Sequence, residues 1–385
     1  MPALLCTLTE RRHQLHVIVV GLGAVGSAAV WRLAEAGHRV TGFDRWATPH
    51  MNGSTHGETR VTRKTAWEGA QYVPLVERAD QLWRSLPSAA GAPHETRNGG
   101  LFLAPPDDLL VAGSVRSAQA HRLPYEILTG EQISARWPQV SPSAGQVGFL
   151  DPAAGILFPE RIVRATLARA RSLGADLRMN EPMLTWRADG EGVAVTTSSG
   201  THQADALILC TGAWMPAVLA TVGVALRIER QVQHWFAPPA GAPPFGPGDV
   251  PVQLVADAET HATVVFPIVD AAIKLGVHGS DEFAPADEID RAIRPAEVEG
   301  AARILRRFFP GLAGGAHLRS ATCLYTNTPS GDFIIDRHPE HPQVVLGSPC
   351  NGFGFKFSAA TGEALACLAT GTPPPVDLAP WQLPR

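Results

Sequence analysis

Apolar and polar positions alternate with a helix–strand rhythm from the first ordered stretch of the chain. His16-Val17-Ile18-Val19-Val20 is a short, nearly continuous apolar block, read as a buried strand. A helical stretch runs to Gly37, and Arg39 to Phe43 reads as the next strand. Val73, Leu75, Val76, Ala79, Leu82 and Trp83 recur at helical spacing, which predicts a helix over Tyr72 to Leu86. A second helical pattern lies between Ile162 and Leu173, clearest over Arg164 to Ala170. Val193 to Thr197 and Ala204 to Cys210 read as strands, the latter running into Thr211-Gly212-Ala213-Trp214. Thr263 to Pro267 and Ala272 to His278 read as two strands of one hairpin. Val298, Ala301, Ile304 and Leu305 share one face of a helix over Glu297 to Phe309. Near the end, Val344 to Gly347 is a strand, Asn351 to Lys356 a Gly-rich turn, and Phe357 to Ala369 a helix.

Strand, Gly-rich turn and helix thus occur at both ends of the chain. The pattern predicts an α/β (α+β) protein with a Rossmann-type nucleotide domain closed by N- and C-terminal pieces. The first turn is the more specific. Gly21-Leu22-Gly23-Ala24-Val25-Gly26 follows the first strand directly, and Asp44 ends the second strand eighteen residues after Gly26. Gly21 permits the tight turn, Gly23 lets backbone approach a pyrophosphate, and Gly26 lets helix and strand pack closely. Free N–H groups at the helix start favour phosphate, and Asp44 can accept from ribose hydroxyls. The motif leaves NAD, NADP and FAD open. The turn at Gly212 is a second place where backbone could pass a nucleotide, and on spacing it is equally an ordinary strand-to-helix turn. Pro49 to Arg60 is a turn-rich loop, and Pro238 to Pro251 a Pro/Gly-rich surface loop.

With 385 residues the chain is long enough for two domains. A net charge of −4 argues against nucleic-acid or polybasic membrane partners. No apolar run approaches the roughly 20 residues of a membrane span. Met1 to Gln14 lacks a signal-peptide core and reads as a frayed extension, so a cytoplasmic protein is expected. Cys6, Cys210, Cys323, Cys350 and Cys367 are odd in number and contain no CxxC pair, which disfavours both a zinc knuckle and a disulfide framework. No metal site is expected.

Candidate chemistry sits where cations lie beside Gly-rich turns: His56, Arg60 and Arg63; Lys274 with His278; and Cys323 with Tyr325, followed by Lys356. Each has an ordinary reading as solvated loop arginines, a lysine on the wet face of a strand, or a buried small thiol. Eight segments shift that balance. Val17–Gly26, Pro49–Arg63, Gly155–Phe158, Thr211–Trp214, Lys274–His278, Cys323–Thr326, Phe333–Pro339 and Asn351–Ser358 resemble, in order, the monomeric sarcosine oxidase and N-methyltryptophan oxidase family of FAD-dependent amine oxidases.

The resemblance implies an FAD domain assembled from residues 14–88, 151–228 and 318–372, and a β-rich substrate domain from 89–150 and 229–317. It implies FAD joined by a thioether to Cys323, with Gly21, Gly23, Gly26, Asp44, Arg45, Ser54, Thr59, Arg60, Gly212, Gly352, Gly354, Phe355 and Lys356 around the cofactor. A thioether needs a thiolate, which nearby cations favour. Arg63 and Lys356 match the residues that hold a substrate carboxylate, as a guanidinium fork and an ammonium can. His56 and Arg60 match residues on the flavin's other face, and Lys274 the lysine that activates oxygen. His278 and Tyr325 match pocket residues that position substrate. The implied reaction takes a hydride equivalent from a secondary amine to the flavin. The imine is then hydrolysed to an aldehyde or oxo product plus amine, and O₂ is reduced to hydrogen peroxide. A monomer is implied. A dehydrogenase using another electron acceptor and a non-catalytic flavin-binding protein are the alternatives.

Three departures from the pattern stand near the pocket. Val264 occupies the place of a tyrosine, Phe353 that of a histidine, and the stretch from Pro267 to Lys274 is one residue short. Loss of polar groups and gain of an aromatic predict a substrate different from or bulkier than sarcosine: another N-alkyl or cyclic amino acid.

Overall fold

A computed structural model describes residues 14–88, 92–257 and 260–383. Cys6 and nearly all of the Met1–Gln14 extension lie outside the described residues. Two sheets organise the chain. The first has six strands in the order Ile334–Arg337, Val344–Ser348, Ala206–Leu209, His16–Val20, Arg39–Phe43 and Asp176–Arg178. It is parallel except for the antiparallel edge strand Ile334–Arg337. Both faces are covered, which explains the unbroken apolar run of its central strand. Val17 and Val19 face a core shared with the helices Ala24–Glu35, Val73–Ser85 and Ser358–Thr370, while Ile18 and Val20 face a second core containing Val193, Val195, Met215 and Leu219. The first and last of those helices touch through small residues. A Cβ on Gly362 would lie 2.6 Å from the Cβ of Ala28.

The second sheet has eight strands, ordered His317–Asn327, Arg227–Phe236, Ile273–Val277, Thr260–Val265, Val252–Asp257, Gly100–Ala104, Val147–Asp151 and Glu126–Thr129. The helix Pro295–Phe308 packs Ala301, Ile304, Leu305 and Phe308 against one face, and Leu110 and Val111 of the helix Leu109–His121 pack with Phe102 and Phe149 on the other. The expected hairpin is present, with Val264 opposite Gly276 and Val265 opposite Leu275. A three-stranded meander, Met183–Asp189, Gly192–Thr197 and Gly200–Ala204, and a small sheet of Arg60–Thr62, Gly155–Leu157 and Glu95–Thr96 complete the strands.

Two strands pair across the expected segment boundaries. His317–Asn327 pairs along its length with Arg227–Phe236, so residues from 318 to 327 extend the eight-stranded sheet rather than the nucleotide-binding segments. Glu95 and Thr96 likewise pair with Gly155–Leu157, outside the sheet to which residues 89–150 otherwise contribute. In both cases backbone pairing, fixed by register over long sequence separations, overrides the order of segments. Among the described residues no helix is long and apolar enough to cross a membrane, and no His/Cys/Asp/Glu group could hold a metal ion.

Candidate cofactor and substrate site

One elongated cavity of about 450 Å³ runs from the first Gly-rich turn to the inner strands of the eight-stranded sheet. Its nucleotide end follows from local sequence. Gly21 has φ +91°, and a Cβ there would lie 2.5 Å from the Cys210 carbonyl oxygen. A Cβ on Gly26 would lie 1.7 Å from the Gly21 oxygen, so this glycine sets helix–turn packing and does not line the cavity. Gly23 does line it and is the N-cap of Ala24–Glu35, whose first N–H, that of Ala24, donates to Thr55 Oγ1 at 3.3 Å. Asp44 is buried at the end of its strand and accepts from Leu22 N–H at 2.8 Å and Trp46 N–H at 2.9 Å. Burial would raise its carboxyl pKa, but His50 and those two N–H groups hold it below the usual carboxylate range. Arg45 lines the same end and pairs with Asp287 at 3.0 Å. Gly212, at φ +56°, and Thr211 line the opposite wall. A second helix, Ser358–Thr370, continues from the 3-10 turn Gly354–Phe357, which lines the cavity with Gly354, Phe355 and Lys356. Both helices therefore turn their positive ends towards the cavity.

The middle of the cavity gathers a thiol and cations from three elements. Cys323 is on the edge strand His317–Asn327, Arg60 starts the short strand Arg60–Thr62, and Lys274 interrupts Ile273–Val277. The Arg60 guanidinium donates to Ser54 O at 2.9 Å and Thr59 O at 2.8 Å, and lies 3.8 Å from Cys323 Sγ. Ser54 Oγ in turn donates to Leu324 O at 2.6 Å. Lys274 Nζ donates to Gly57 O at 2.5 Å and Thr59 O at 2.8 Å, and faces the rings of Phe266 and Trp235. Burial, reinforced by Arg60, pushes its ammonium well below the ordinary lysine range. Burial alone would push the Cys323 thiol up, yet His56, Arg60 and Lys274 hold it down, at about 7. His56 itself is buried behind the cavity wall rather than in it. Its ring nitrogens make no hydrogen bond of ordinary geometry among the described residues, yet the ring stands close enough to the Cys323 thiol to favour the thiolate both as a hydrogen-bonding neighbour and through charge.

At the far end stand Arg63 and Lys356, the pair that the family resemblance implies, with an acid between them. Arg63 is buried, pairs with Glu68, donates to Thr65 O, and stacks 3.5 Å from the centroid of Trp67. Lys356 Nζ stands 3.4 Å from the same Glu68 oxygen and donates to Phe353 O at 3.0 Å. Glu68 carries no motif; only its place five residues after Arg63 in a buried loop marks it. Tyr325 and His278 close this end through a 2.7 Å hydrogen bond between Tyr325 Oη and His278 Nδ1. Burial, with Lys356 and Arg60 nearby, lowers His278 to about 4, so its ring is neutral near pH 7. Gly352, at φ +78°, leaves room for the Tyr325 ring, which a Cβ would approach to 2.6 Å. Val264 and Phe353, the two departures from the family pattern, both line the cavity, and Phe353 stacks on Phe333 at 5.1 Å.

Residues 16–368 match the family described as FAD dependent oxidoreductase. The chain belongs to the FAD-dependent oxidoreductase family. It is 40% identical over 361 residues to the monomeric sarcosine oxidase of Streptomyces avermitilis, covering 92% of this chain and 94% of that one. It is 32% identical over 376 residues to the N-methyl-L-tryptophan oxidase of Salmonella agona, covering 96% and 98%. Its fold is also that of NikD, an amino acid oxidase of nikkomycin biosynthesis, with a TM-score of 0.83 at 23% identity over 96% and 97% of the two chains.

The residues present fit FAD. The hydroxyls of Thr59, Thr211, Ser348 and Ser358 and the side-chain amide of Gln231 line the cavity, are buried, and have no hydrogen-bond partner among the described residues. Buried polar atoms without partners are costly, and a ligand rich in hydroxyls and carbonyls satisfies them. The positive ends of two helices match the charge of a pyrophosphate and of a polar ring edge.

Proposed function

We propose that this FAD-dependent oxidoreductase is a cytoplasmic, monomeric oxidase of secondary amino acids, with the flavin tethered through Cys323. The observation that carries the reading is the layout of one cavity. A nucleotide clamp at one end leads to a thiol poised near neutrality, then to a buried lysine, then to a pair of cations flanked by aromatic rings. In this reading residues 14–88, 151–228 and the C-terminal turn and helix up to 372 hold the cofactor. The eight-stranded sheet supplies Cys323 and the substrate wall.

Gly21, Gly23 and the helix start hold the pyrophosphate, and Asp44 the adenosine ribose. Arg63 and Lys356 take the substrate carboxylate, exchanging part of their contact with Glu68 for it. That fixes the amine at a set distance from the cations, since a carboxylate held by a guanidinium and an ammonium has little rotational freedom. Tyr325 and neutral His278 shape the pocket and add no charge to it. The Cys323 thiolate, favoured by His56 and Arg60, would be the nucleophile for the tether, its S–C bond replacing a C–H bond of a flavin methyl while the electron pair goes to the ring and then to O₂. When bound, FAD accepts the electron pair of the amine and passes it to O₂, giving hydrogen peroxide; the imine is then hydrolysed. Lys274 and Arg60 supply positive charge already in place where an oxygen anion develops.

Val264 and Phe353 make the pocket wall less polar. They favour an N-alkyl or cyclic amino acid bulkier than sarcosine. Two measurements test the reading. Acid precipitation should leave yellow flavin in the wild-type pellet and not in that of Cys323→Ala. A peroxide-coupled screen should rank N-alkyl aromatic or cyclic amino acids above sarcosine in kcat/KM. Sarcosine at the top of that ranking would overturn the substrate class, and absence of peroxide with every secondary amino acid the oxidase reading itself.

A further inference from the structure

We propose that Glu160 is a positioning residue for Lys274, acting through the single peptide unit that joins Gly57 to Glu58. The inference rests on the oxidase reading of Lys274. Glu160 lies in the first turn of the helix Pro159–Ser172, where an acid usually serves only its own helix. Here its carboxylate accepts Gly57 N–H at 2.7 Å and Glu58 N–H at 3.1 Å through both oxygens. Two successive N–H groups closing on one anion form a backbone nest. The carbonyl side of the same turn faces the other way, and Gly57 O and Thr59 O receive the Lys274 ammonium.

The Glu58 N–H and the Gly57 C=O belong to one planar peptide and point in opposite directions. Glu160 and Lys274 therefore bind the two ends of the same group. A carboxylate at the N–H end polarises the peptide and strengthens its oxygen as an acceptor. The turn is held for this purpose at some cost. Gly57 has φ +98°, and a Cβ there would lie 2.1 Å from Gln233 Oε1. Glu58 is left-handed at φ 68°, a conformation that non-glycine residues rarely adopt. Its side chain is pinned in compensation by Trp235 Nε1 at 2.9 Å and Arg319 at 2.6 Å.

No carboxylate lies within ion-pair distance of Lys274 among the described residues. The charged and titratable groups acting on it are Arg60 from its short strand, Cys323 from the edge strand, Glu160 from its helix and Glu58 from the turn. Burial and Arg60 disfavour the ammonium; Glu160, Glu58 and the Cys323 thiolate favour it. Glu160 is the acid in this set that is joined to Lys274 by a continuous hydrogen-bonded path.

The chain contains three lysines, Lys64, Lys274 and Lys356, which makes the test direct. Holoenzyme labelled with [ε-¹³C]lysine gives three Cε signals, assigned by single Lys→Met variants. In Glu160→Gln, whose amide oxygen can still accept from the turn, the titration midpoint of Lys274 should fall by about one pH unit or more, about a tenfold change in acidity. Glu160→Asp should move it less, in the same direction. Reoxidation of the dithionite-reduced Gln variant by O₂ should slow about tenfold, while anaerobic reduction by substrate stays within about twofold. An unmoved Lys274 midpoint in Glu160→Gln, whatever the change in Tm, overturns the proposal and leaves Glu160 a helix-terminal acid that holds a loop. Should Glu160→Gln not fold, an unmoved midpoint in Glu160→Asp does the same. Slow reoxidation of the wild type would sink the oxidase reading instead, while the Cε titration still decides the Glu160 link.

Discussion

The cation pair at the substrate end makes carboxylate binding depend on pH in a calculable way. Lys356 is 4% exposed, and burial pushes its ammonium down while Glu68 pulls it back and Arg63 pushes it down again, leaving it at about 7. Below that pH the site offers two cations to a carboxylate; above it Lys356 is neutral and only the Arg63 guanidinium remains. An anion about 4 Å from the ammonium, at an effective dielectric of about 20, is attracted by about 4 kcal/mol. At about 1.4 kcal/mol per pH unit, binding should raise the lysine's pKa by about 3 units. Between those free and bound values each pH unit costs about a factor of ten in affinity. The perturbation is a pH series from about 6 to about 9, and the ligand is acetate, which carries no amine of its own to titrate. Its apparent Kd, read from difference absorbance of the bound flavin, should be nearly flat below about pH 6 and weaken about a hundredfold from about pH 7 to about pH 9. In Lys356→Met the curve should be flat and weak throughout. A flat wild-type curve, or acetate binding that tightens as pH rises, would refute the reasoning.

Three further outcomes follow from the geometry. In flavin-free protein, alkylation of Cys323 by iodoacetamide should rise with pH through a midpoint near 7, because thiolate is the reactive form and its neighbours favour it; a midpoint at or above the ordinary thiol value of about 8.5 would show that those neighbours do not act on it. Gly26→Ala would place a Cβ 1.7 Å from the Gly21 oxygen, so calorimetry should show a loss of about 3 kcal/mol or more and flavin binding should be lost; an unchanged Tm with flavin retained contradicts this. Tyr325→Phe removes the bond to His278 Nδ1, worth about 1 kcal/mol, so kcat/KM should fall less than about tenfold, and a loss of about a thousandfold would place the phenol in the chemistry itself.

The parts of the fold legible in sequence are those whose cause is local. Val17 to Val20, Gly21, Gly23, Gly26 and Asp44 specify a strand, turn and strand end within thirty residues, and the structure places them accordingly. The helix at Val73–Ser85 and the hairpin around Val264 and Leu275 also follow from periodicity alone. Elements that depend on distant partners were not legible. Gly100–Ala104 pairs in parallel with Val252–Asp257, and nothing in either segment names the other. In the meander only Val193–Thr197 shows a strand pattern, because Met183–Asp189 leaves Leu184 65% exposed and lacks the alternation of a half-buried strand. In the site, the cations stood out as charges in apolar or Gly-rich settings. The acids that partner them did not: Glu68 meets Lys356 across 288 residues, and Glu160 meets Gly57 across 103. His56 was legible as a residue but not as one placed behind the wall.

The walls of the cavity come from different bodies: Gly21, Gly23 and Asp44 from the six-stranded sheet, Cys323 and Lys274 from the eight-stranded one. A ligand spanning both binds only when the two are docked, so its binding free energy adds to the cohesion between them rather than to the stability of either. In the proposed holoenzyme the flavin is bonded at Cys323 and gripped at Gly21–Ala24, which makes it a cross-link between the edge strand of one sheet and the central turn of the other. Its mechanical counterpart is a disulfide that closes a loop of roughly 300 residues, a span at which chain-entropy estimates give several kcal/mol. Untethering the cofactor should therefore register as early separation of the two sheets on heating, before either one melts.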